Sequence, residues 1–181
     1  MAENQCVGRG AADRVVLEVE VDWRRLRLAM HIELFVVGAP AGKTQPVEVA
    51  ALGDDLYRVL YSPGLVEGIA ANDVIRLVDH TLGTFEVVER GHNVAVKVAS
   101  SSEISNTLAE IERVLAPLGA RRDGAISKAA VWTIPVTPGF EAIEAAMTEI
   151  MRIIPESEWW YGNVYDESGN PLNWWKDTGA A

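Results

Sequence analysis

The sequence predicts an α+β fold, in which an all-β portion is followed by a portion that mixes strands and helices. Three observations predict it. Up to Arg90, short apolar runs alternate with polar residues between Gly and Pro turns, as in a small barrel or sandwich. After Arg90, two stretches carry apolar residues at helical spacing. Strand-like runs flank both stretches, so the helices are expected to pack on a sheet.

The predicted β-rich portion covers residues 13–90 and follows a small, polar tail, residues 1–12, that is expected to be flexible. Apolar and polar residues alternate over Val15–Asp22, which predicts a strand with one face toward water. Leu26–Val37 has the same period and predicts a second strand. Further strands are predicted at Val47–Leu52, Leu56–Tyr61, Val74–Val78 and Thr84–Glu89.

The predicted mixed portion, residues 91–181, contains two helices. Ser100 and Glu103 fit a capping box, which predicts a helix that runs from Glu103 to Ala116. Thr137, followed by a proline, predicts the start of the second helix, because the first helical position does not need the amide hydrogen that proline lacks.

The remaining strands complete the order of this portion. They are predicted at Val94–Val98, at Ala120–Asp123 and Ala129–Val136 as a hairpin around Gly124, and at Glu158–Tyr165, which turns back toward Leu172–Trp175. The order strand, helix, strand, strand, helix, strand is that of a ferredoxin-like βαββαβ unit with both helices on one face of an antiparallel sheet. An aromatic hairpin is expected to end it.

Charge and cysteine content restrict the possible functions. The chain has 181 residues, a net charge of -10 and a pI near 4.8, which disfavours nucleic acid and anionic membranes and favours basic partners. Its one cysteine, Cys6, cannot form a disulfide within the chain, as is typical of a reducing compartment. The N-terminal residues lack a secretory pattern, and the uncharged run Leu34–Gly42 is too short to span a bilayer. A cytoplasmic protein is expected.

A set of short motifs is similar to those of a bacterial family. In chain order they are Leu56-Tyr57-Arg58, Pro63, Gly68, Asp73-Val74, Gly91-His92 and Leu118-Gly119, followed by an aromatic and acidic strand at Trp159–Tyr165. On these residues, the stretch from about Val47 to Trp175 resembles the family catalogued as domain of unknown function 4265. Arg90 and Asn93 stand where the family pattern suggests small hydroxyl residues. The resemblance implies a fold and no established activity.

One glycine-rich stretch ends like a phosphate-binding loop. That loop needs four residues between its first glycine and the Gly-Lys pair, whereas three separate Gly38 from Gly42. The residues after Lys43 favour a strand, and the helix that would hold phosphate at its N-terminus is not predicted. The stretch therefore predicts a turn.

Catalytic and metal-ligating patterns are also weak. The three histidines, His31, His80 and His92, do not have the spacing of zinc ligands, and His31 is expected to pack in the core of its strand. Cys6 and Ser62 have no adjacent base that would activate them as nucleophiles. No metal or other cofactor is predicted.

Aromatic and acidic residues concentrate near the C-terminal end. If side chains alternate along the last strand, Trp160 faces the core together with Val164. Trp159 and Tyr161 then lie on the other face, which is either partly exposed or covered by the returning arm. Large aromatic side chains ringed by carboxylates suit an interface with a basic protein. The predicted partner-binding residues are Trp159, Tyr161, Tyr165, Trp174, Trp175, Glu156, Glu158, Asp166 and Glu167.

These features predict a non-catalytic binding protein, and most specifically an acidic immunity protein that neutralises a basic bacterial toxin domain. Two alternatives remain open. Ferredoxin-like units also occur as small-ligand sensors or regulatory modules. An enzyme centred on His92 and Arg90 would need a pocket that brings His92 together with Glu86 or Asp73. The aromatic residues also fit a purely structural role, closing the core between the two halves.

Overall fold

The α+β class is confirmed by a computed structural model that describes residues 29–40 and 42–178. The predicted tail, residues 1–12, and the predicted strand Val15–Asp22 lie outside the described residues. The described strands and helices are β1 Ala29–Phe35, β2 Thr44–Gly53, β3 Leu56–Val59, β4 Val74–Asp79, β5 Thr84–Glu89, β6 Asn93–Ser100, α1 Leu108–Leu115, β7 Arg121–Ile126, β8 Ala129–Pro135, α2 Phe140–Ile153 and β9 Ser157–Tyr161. In this part of the chain they form two antiparallel sheets and two helices.

The first sheet is a meander in which β1 to β5 follow one another as neighbours. Its inward side chains, among them Leu34, Val49 and Ile75, form one apolar cluster, as the period of two predicts. The sheet curls so that the end of β1 reaches the turn between β4 and β5. There the Phe35 N–H donates to the Gly83 carbonyl at 2.9 Å. Gly83 has a φ of +70° and lies so close to β1 that a side chain would not fit.

The second sheet has the order β7-β8-β6-β9, with antiparallel pairing throughout. Both helices cover one face, where Val96 of β6 and Trp132 of β8 pack against Ile111, Ile143 and Ile150. Nearly every residue of β6 is buried, because the connection between β3 and β4 covers the opposite face. The second sheet therefore lies between the helices and the first sheet. No helix in the described ranges is long and apolar enough to cross a membrane.

The connection between β3 and β4, residues 60–73, joins the two sheets through polar contacts. The Ser62 N–H donates to the Asp123 carboxylate at 2.8 Å. The Gly68 N–H donates to the Gly162 carbonyl at 2.6 Å. Asn93 donates from its side-chain amide to a carbonyl of the same connection. These bonds connect residues of the predicted β-rich portion with residues of the predicted mixed portion.

Both predicted helix starts were wrong. The first helix begins at Leu108, five residues later than predicted, and Ser100 does not cap it. The hydroxyls of Ser101 and Ser102 instead donate to the carboxylate of Glu156, at the start of β9. The second helix begins at Phe140, after an N-cap glycine with a φ of +83°, so neither Thr137 nor the proline that follows it starts the helix.

The predicted turns and last strand also needed correction. Gly124 lies within β7 at a break in its register with β8, and the hairpin turns at Ser127 and Lys128. The last strand ends at Tyr161, because residues 162 and 163 bend away from it. The returning arm makes one isolated bridge, between Pro171 and Tyr165, and then forms a short 3-10 helix, Trp174–Thr178, in place of the predicted strand.

Candidate functional site

A cleft of about 760 Å³ opens between the two sheets. One wall is the outer face of β1 and β2, and another is the segment 61–65 that follows β3. The floor and far wall come from the second sheet, including the edge strand β7. Trp160, Leu65 and Ile126 line the cleft with apolar surface and are all exposed to solvent. We refer to this space as the intersheet cleft.

Lys97 is the buried cation of the cleft. Its side chain is 2% exposed, and its ammonium group donates to the Val66 carbonyl at 2.8 Å. The same ammonium pairs with the Glu67 carboxylate at 2.9 Å, which in turn accepts the Trp160 indole N–H at 3.2 Å. Burial lowers the pKa of Lys97, and the nearby carboxylate opposes this only in part. Gly162 makes room for the lysine, since a Cβ there would lie 2.6 Å from its Cε.

The lowered pKa of Lys97 predicts a pH-dependent stability. Between that pKa and the ordinary value for lysine, the unfolded chain binds more protons at this residue than the folded chain. The free energy of unfolding of the wild type, minus that of Lys97→Met, should therefore increase as the pH rises through this window. The total increase should be about 1.4 kcal/mol for each unit by which folding lowers the pKa of Lys97.

Urea denaturation of both proteins from pH 7 to pH 10.5 measures this difference. Lys128→Met, at an exposed lysine, controls for the loss of one positive charge. A difference between wild type and Lys97→Met that does not vary with pH would contradict the prediction.

Asp123 anchors a polar corner of the cleft. Its carboxylate is fully buried and accepts the Ser62 N–H, the Arg121 Nε–H at 2.8 Å and the Thr133 hydroxyl. The Ser62 hydroxyl shares a hydrogen bond with Thr133 at 2.6 Å and accepts a backbone N–H at 3.1 Å. The guanidinium of Arg121 also lies over the Tyr61 ring, 4.9 Å from its centroid. These bonds fix the corner in one geometry.

His31 and Glu48 face each other on the outer side of β1 and β2 and line the cleft. The prediction that His31 packs in the core was wrong. Ile32 and Leu34 point inward along β1, so His31 points outward and is exposed. Glu48 is half-buried. Within the described residues, neither side chain makes a hydrogen bond or ion pair.

Sequence reasoning missed Lys97, Asp123 and Glu48. One signal for Lys97 was present, since a lysine at the centre of an otherwise apolar strand is unusual unless it has a partner. Glu48 and Asp123 look like ordinary solvent-facing residues of half-buried strands, and no local pattern distinguishes them.

The structure places most of the predicted interface aromatics against the helical core. Trp159, Tyr161, Trp174 and Trp175 are partly buried on it. The predicted faces of the last strand were therefore reversed. Trp160 is 37% exposed and faces the cleft, although Val164 is buried as expected. The reversal arises because the strand ends at Tyr161, so the alternation does not continue to Val164.

Edge-to-face ring contacts hold this aromatic group together. The Tyr161 ring lies 5.4 Å from that of Phe140 and 5.1 Å from that of Trp159. The Trp175 ring lies 5.0 Å from Phe140. The Trp174 indole N–H donates to a backbone carbonyl at 2.8 Å. Such contacts stabilise packing whether or not a partner binds.

The remaining predicted interface residues lie at the surface. Tyr165 is 49% exposed. The four predicted carboxylates, Glu156, Glu158, Asp166 and Glu167, are exposed as well. Hydrogen bonds from the hydroxyls of Ser102 and Ser101 lower the pKa of Glu156. Hydrogen bonds from the backbone N–H and side-chain amide of Asn170 lower the pKa of Asp166. We refer to these five exposed residues as the acidic surface.

Tyr161 carries a buried hydroxyl for which the described residues provide no hydrogen-bond partner. Burial raises the pKa of Tyr161, and the charge of Glu144 adds to this effect. Tyr161→Phe should raise the free energy of unfolding by about 1 kcal/mol, because an unpaired buried hydroxyl destabilises the fold. Urea denaturation measures this, with Tyr165→Phe as the exposed control. A loss of stability in Tyr161→Phe would show that the hydroxyl has a partner.

Within the described part of the chain, His92 makes no hydrogen bond or ion pair with either carboxylate that the enzyme alternative requires. His92 is exposed and does not line the intersheet cleft. Asp73 is buried and accepts hydrogen bonds from the Gly91 N–H at 2.7 Å and from an Arg90 N–H at 3.1 Å. Glu86 forms an ion pair with Arg76 of β4. Burial raises the pKa of Asp73, against the opposing effect of the Gly91 hydrogen bond and the Arg90 charge.

Several of the family-like motifs meet at this point. The Arg90 guanidinium donates to the Gly68 carbonyl at 2.8 Å. The adjacent Gly91 N–H donates to the Asp73 carboxylate. A family profile, described as domain of unknown function (DUF4265), matches residues 46–160. The chain belongs to this family. The resemblance stated from the sequence is thereby confirmed. In this DUF4265 protein the motif residues Gly68, Asp73 and Gly91 lie where the β3–β4 connection meets the segment before β6.

Other comparisons concern the fold. A solved structure, described as a hypothetical protein from Neisseria gonorrhoeae, is similar over 75% of this chain and 94% of that chain. The TM-score is 0.58 and the sequence identity 7%, so the likeness shows a common fold alone. No curated protein matches this DUF4265 chain significantly.

Proposed function

We propose that this DUF4265 chain is a non-catalytic, cytoplasmic binding protein whose ligand lies in the intersheet cleft. The observation that carries the proposal is the cleft itself, which has a volume of about 760 Å³ and walls from both sheets. Ligand sites are typically concave, mostly apolar and about 300–1,000 Å³ in volume. Here Pro46, Leu65 and Val131 contribute apolar surface, and a few polar side chains interrupt it.

The buried polar groups of the cleft, Lys97, Asp123 and Ser62, support binding rather than catalysis. Lys97 is already paired with Glu67, and Asp123 with Arg121. The Ser62 hydroxyl is buried and engaged by Thr133 and by a backbone N–H. A general base or nucleophile needs a hydrogen-bonding position open to the substrate, and these contacts occupy such positions.

Nile red, a neutral apolar dye, tests whether the cleft binds ligands. Wild-type protein should increase the dye emission with a single saturable transition. Ala125→Trp places an indole in the cleft and should weaken binding by at least about tenfold, which corresponds to about 1.4 kcal/mol. Val88→Trp, on an exposed position of β5 outside the cleft, is the matched control. Equal affinity of wild type and Ala125→Trp, or no binding at all, would contradict the proposal.

The acidic surface favours a second candidate, the immunity function expected from the sequence. Its exposed carboxylates, with Tyr165 beside them, would attract a basic toxin domain by charge. A net charge of -10 acts in the same direction. The packing of Trp159, Tyr161 and Trp175 on the helices leaves them less surface for such contacts.

Affinity capture from the native cells tests this second candidate. A variant with Glu158→Lys, Asp166→Lys and Glu167→Lys serves as the comparison, because these side chains are exposed. A basic protein that wild type retains and the variant loses, with faster release at high salt, would support the immunity function. Equal recovery by both proteins would exclude the acidic surface as the interface.

We also propose a finer description of the fold, with a small barrel followed by a ferredoxin-like unit. The element order from β6 to β9, the sheet order β7-β8-β6-β9 and two helices on one face support the ferredoxin-like unit. The hydrogen bond from Phe35 to Gly83 supports closure of the first sheet. Slow hydrogen exchange of the Phe35 amide is expected, and fast exchange would argue against closure.

A further inference from the structure

Within the described residues, one charged side chain of the intersheet cleft, that of Glu48, has no ion-pair partner. Among the described residues, Glu48, Lys97 and Asp123 are the lysine and carboxylate side chains that line the cleft. Lys97 pairs with Glu67, and Asp123 with Arg121. Glu48 is half-buried, and within the described part of the chain it makes no ion pair or side-chain hydrogen bond. A partly desolvated carboxylate is stabilised by a cation that enters beside it.

The surroundings of Glu48 distinguish between classes of ligand. His31 lies directly across from it on β1, without a hydrogen bond between them. A ligand carboxylate would be placed next to Glu48 and repelled, since the buried cation of the cleft, Lys97, is already paired with Glu67. The total charge of -10 also attracts cations and repels anions over longer distances.

The rest of the cleft suits an apolar body. Pro46 precedes Glu48 by two residues on β2 and lines the same space. Leu65 is 63% exposed and Ile126 is 71% exposed, and both also line it. The Trp160 ring adds an aromatic surface, which attracts cations through its negative face.

We propose that the intersheet cleft binds a small organic cation, with its ammonium group against Glu48 and its apolar body along Pro46, Leu65 and Ile126. This inference rests on the proposed function, because it names the ligand class of the same cleft. A carboxylate in an apolar cleft selects an amine over a neutral or anionic ligand that has the same apolar body.

Three probes with one eight-carbon chain test the selection: octylammonium, 1-octanol and octanoate. Each competes with Nile red for the full-length wild-type protein at pH 8, where an alkyl ammonium is charged and an imidazole is ordinarily neutral. Octylammonium should displace the dye at a concentration at least about tenfold lower than the other two, as a charge-assisted hydrogen bond implies.

Glu48→Gln should remove this preference and leave displacement by 1-octanol unchanged. Glu89→Gln makes the same charge change on β5 outside the cleft and should retain the preference. Glu48→Ala, checked for folding by circular dichroism, provides a second variant if the amide perturbs the strand.

The outcomes separate the two proposals. If all three probes displace Nile red equally, or if Glu48→Gln retains the preference, the cleft binds ligands but not through Glu48, and the cation inference is overturned. If octanoate is preferred, the charge assignment is reversed and the inference is likewise overturned. If Nile red itself does not bind, the failure lies with the proposed function.

Discussion

Gly91→Ala should destabilise the protein by at least about 2 kcal/mol. A Cβ at Gly91 would lie 2.4 Å from the carbonyl carbon of Asn72 and 2.7 Å from its oxygen, and both are backbone atoms that cannot rotate away. The Gly91 N–H also donates to Asp73 at 2.7 Å, so any backbone shift that relieves the contact lengthens this hydrogen bond. The substitution thus separates two segments that the fold holds in van der Waals contact.

Gly64→Ala is the matched control for this prediction. Gly64 does not adopt a positive φ, and a Cβ there would meet no atom within 4 Å. The free energy of unfolding of Gly64→Ala should be unchanged or slightly raised, since alanine lowers the conformational entropy of the unfolded chain. Urea unfolding of both variants at neutral pH gives the two free energies. If Gly91→Ala were as stable as Gly64→Ala, Gly91 could not lie as close to the Asn72 backbone as the structure places it.

Asp73→Ala should have a comparable or larger effect, with a loss of about 3–5 kcal/mol. The Asp73 side chain is 1% exposed and accepts hydrogen bonds from Ala70, Arg90 and Gly91. Removing the carboxylate leaves two backbone N–H groups without their acceptor and leaves the Arg90 guanidinium, 20% exposed, without its counter-charge. These costs add to the loss of packing.

An exposed ion pair provides the comparison for Asp73→Ala. Glu86 pairs with Arg76 at 2.6 Å, but both side chains are about half exposed, at 54% and 48%. Glu86→Ala should therefore cost less than about 1 kcal/mol in the same urea experiment. Equal costs for the two variants would mean that Asp73 is solvated and does not join the segments around it.

Local patterns predicted the elements whose hydrogen bonds are made to sequence neighbours. The strand Thr84–Glu89 has its predicted bounds, because alternation and its flanking turn lie within the same few residues. The helix predicted at Glu103 failed because the serines before it bind Glu156, which is more than fifty residues away in sequence. Competition from a distant partner leaves no trace in a local pattern.

The intersheet cleft could not be predicted for the same reason. Its walls come from β1 and β2 on one side and from the second sheet on the other, and their approach depends on the buried contacts of residues 60–73. Predicting that the buried Lys97 has a charged partner would have required knowing that Glu67 approaches it. The aromatic residues were recognised correctly as a group, but the face they occupy depends on where β9 ends.

If the intersheet cleft binds a ligand as proposed, the hydrogen bonds around the cleft would also determine how quickly that ligand enters. Bonds from Ser62 to Asp123 and from Lys97 to Val66 hold residues 60–73 against the second sheet before any ligand arrives. Walls fixed in this way would require no hinge closure, so association would consist of a single diffusional step. In stopped-flow mixing, the observed rate constant should then rise linearly with ligand concentration, without the plateau that a slow conformational step would impose.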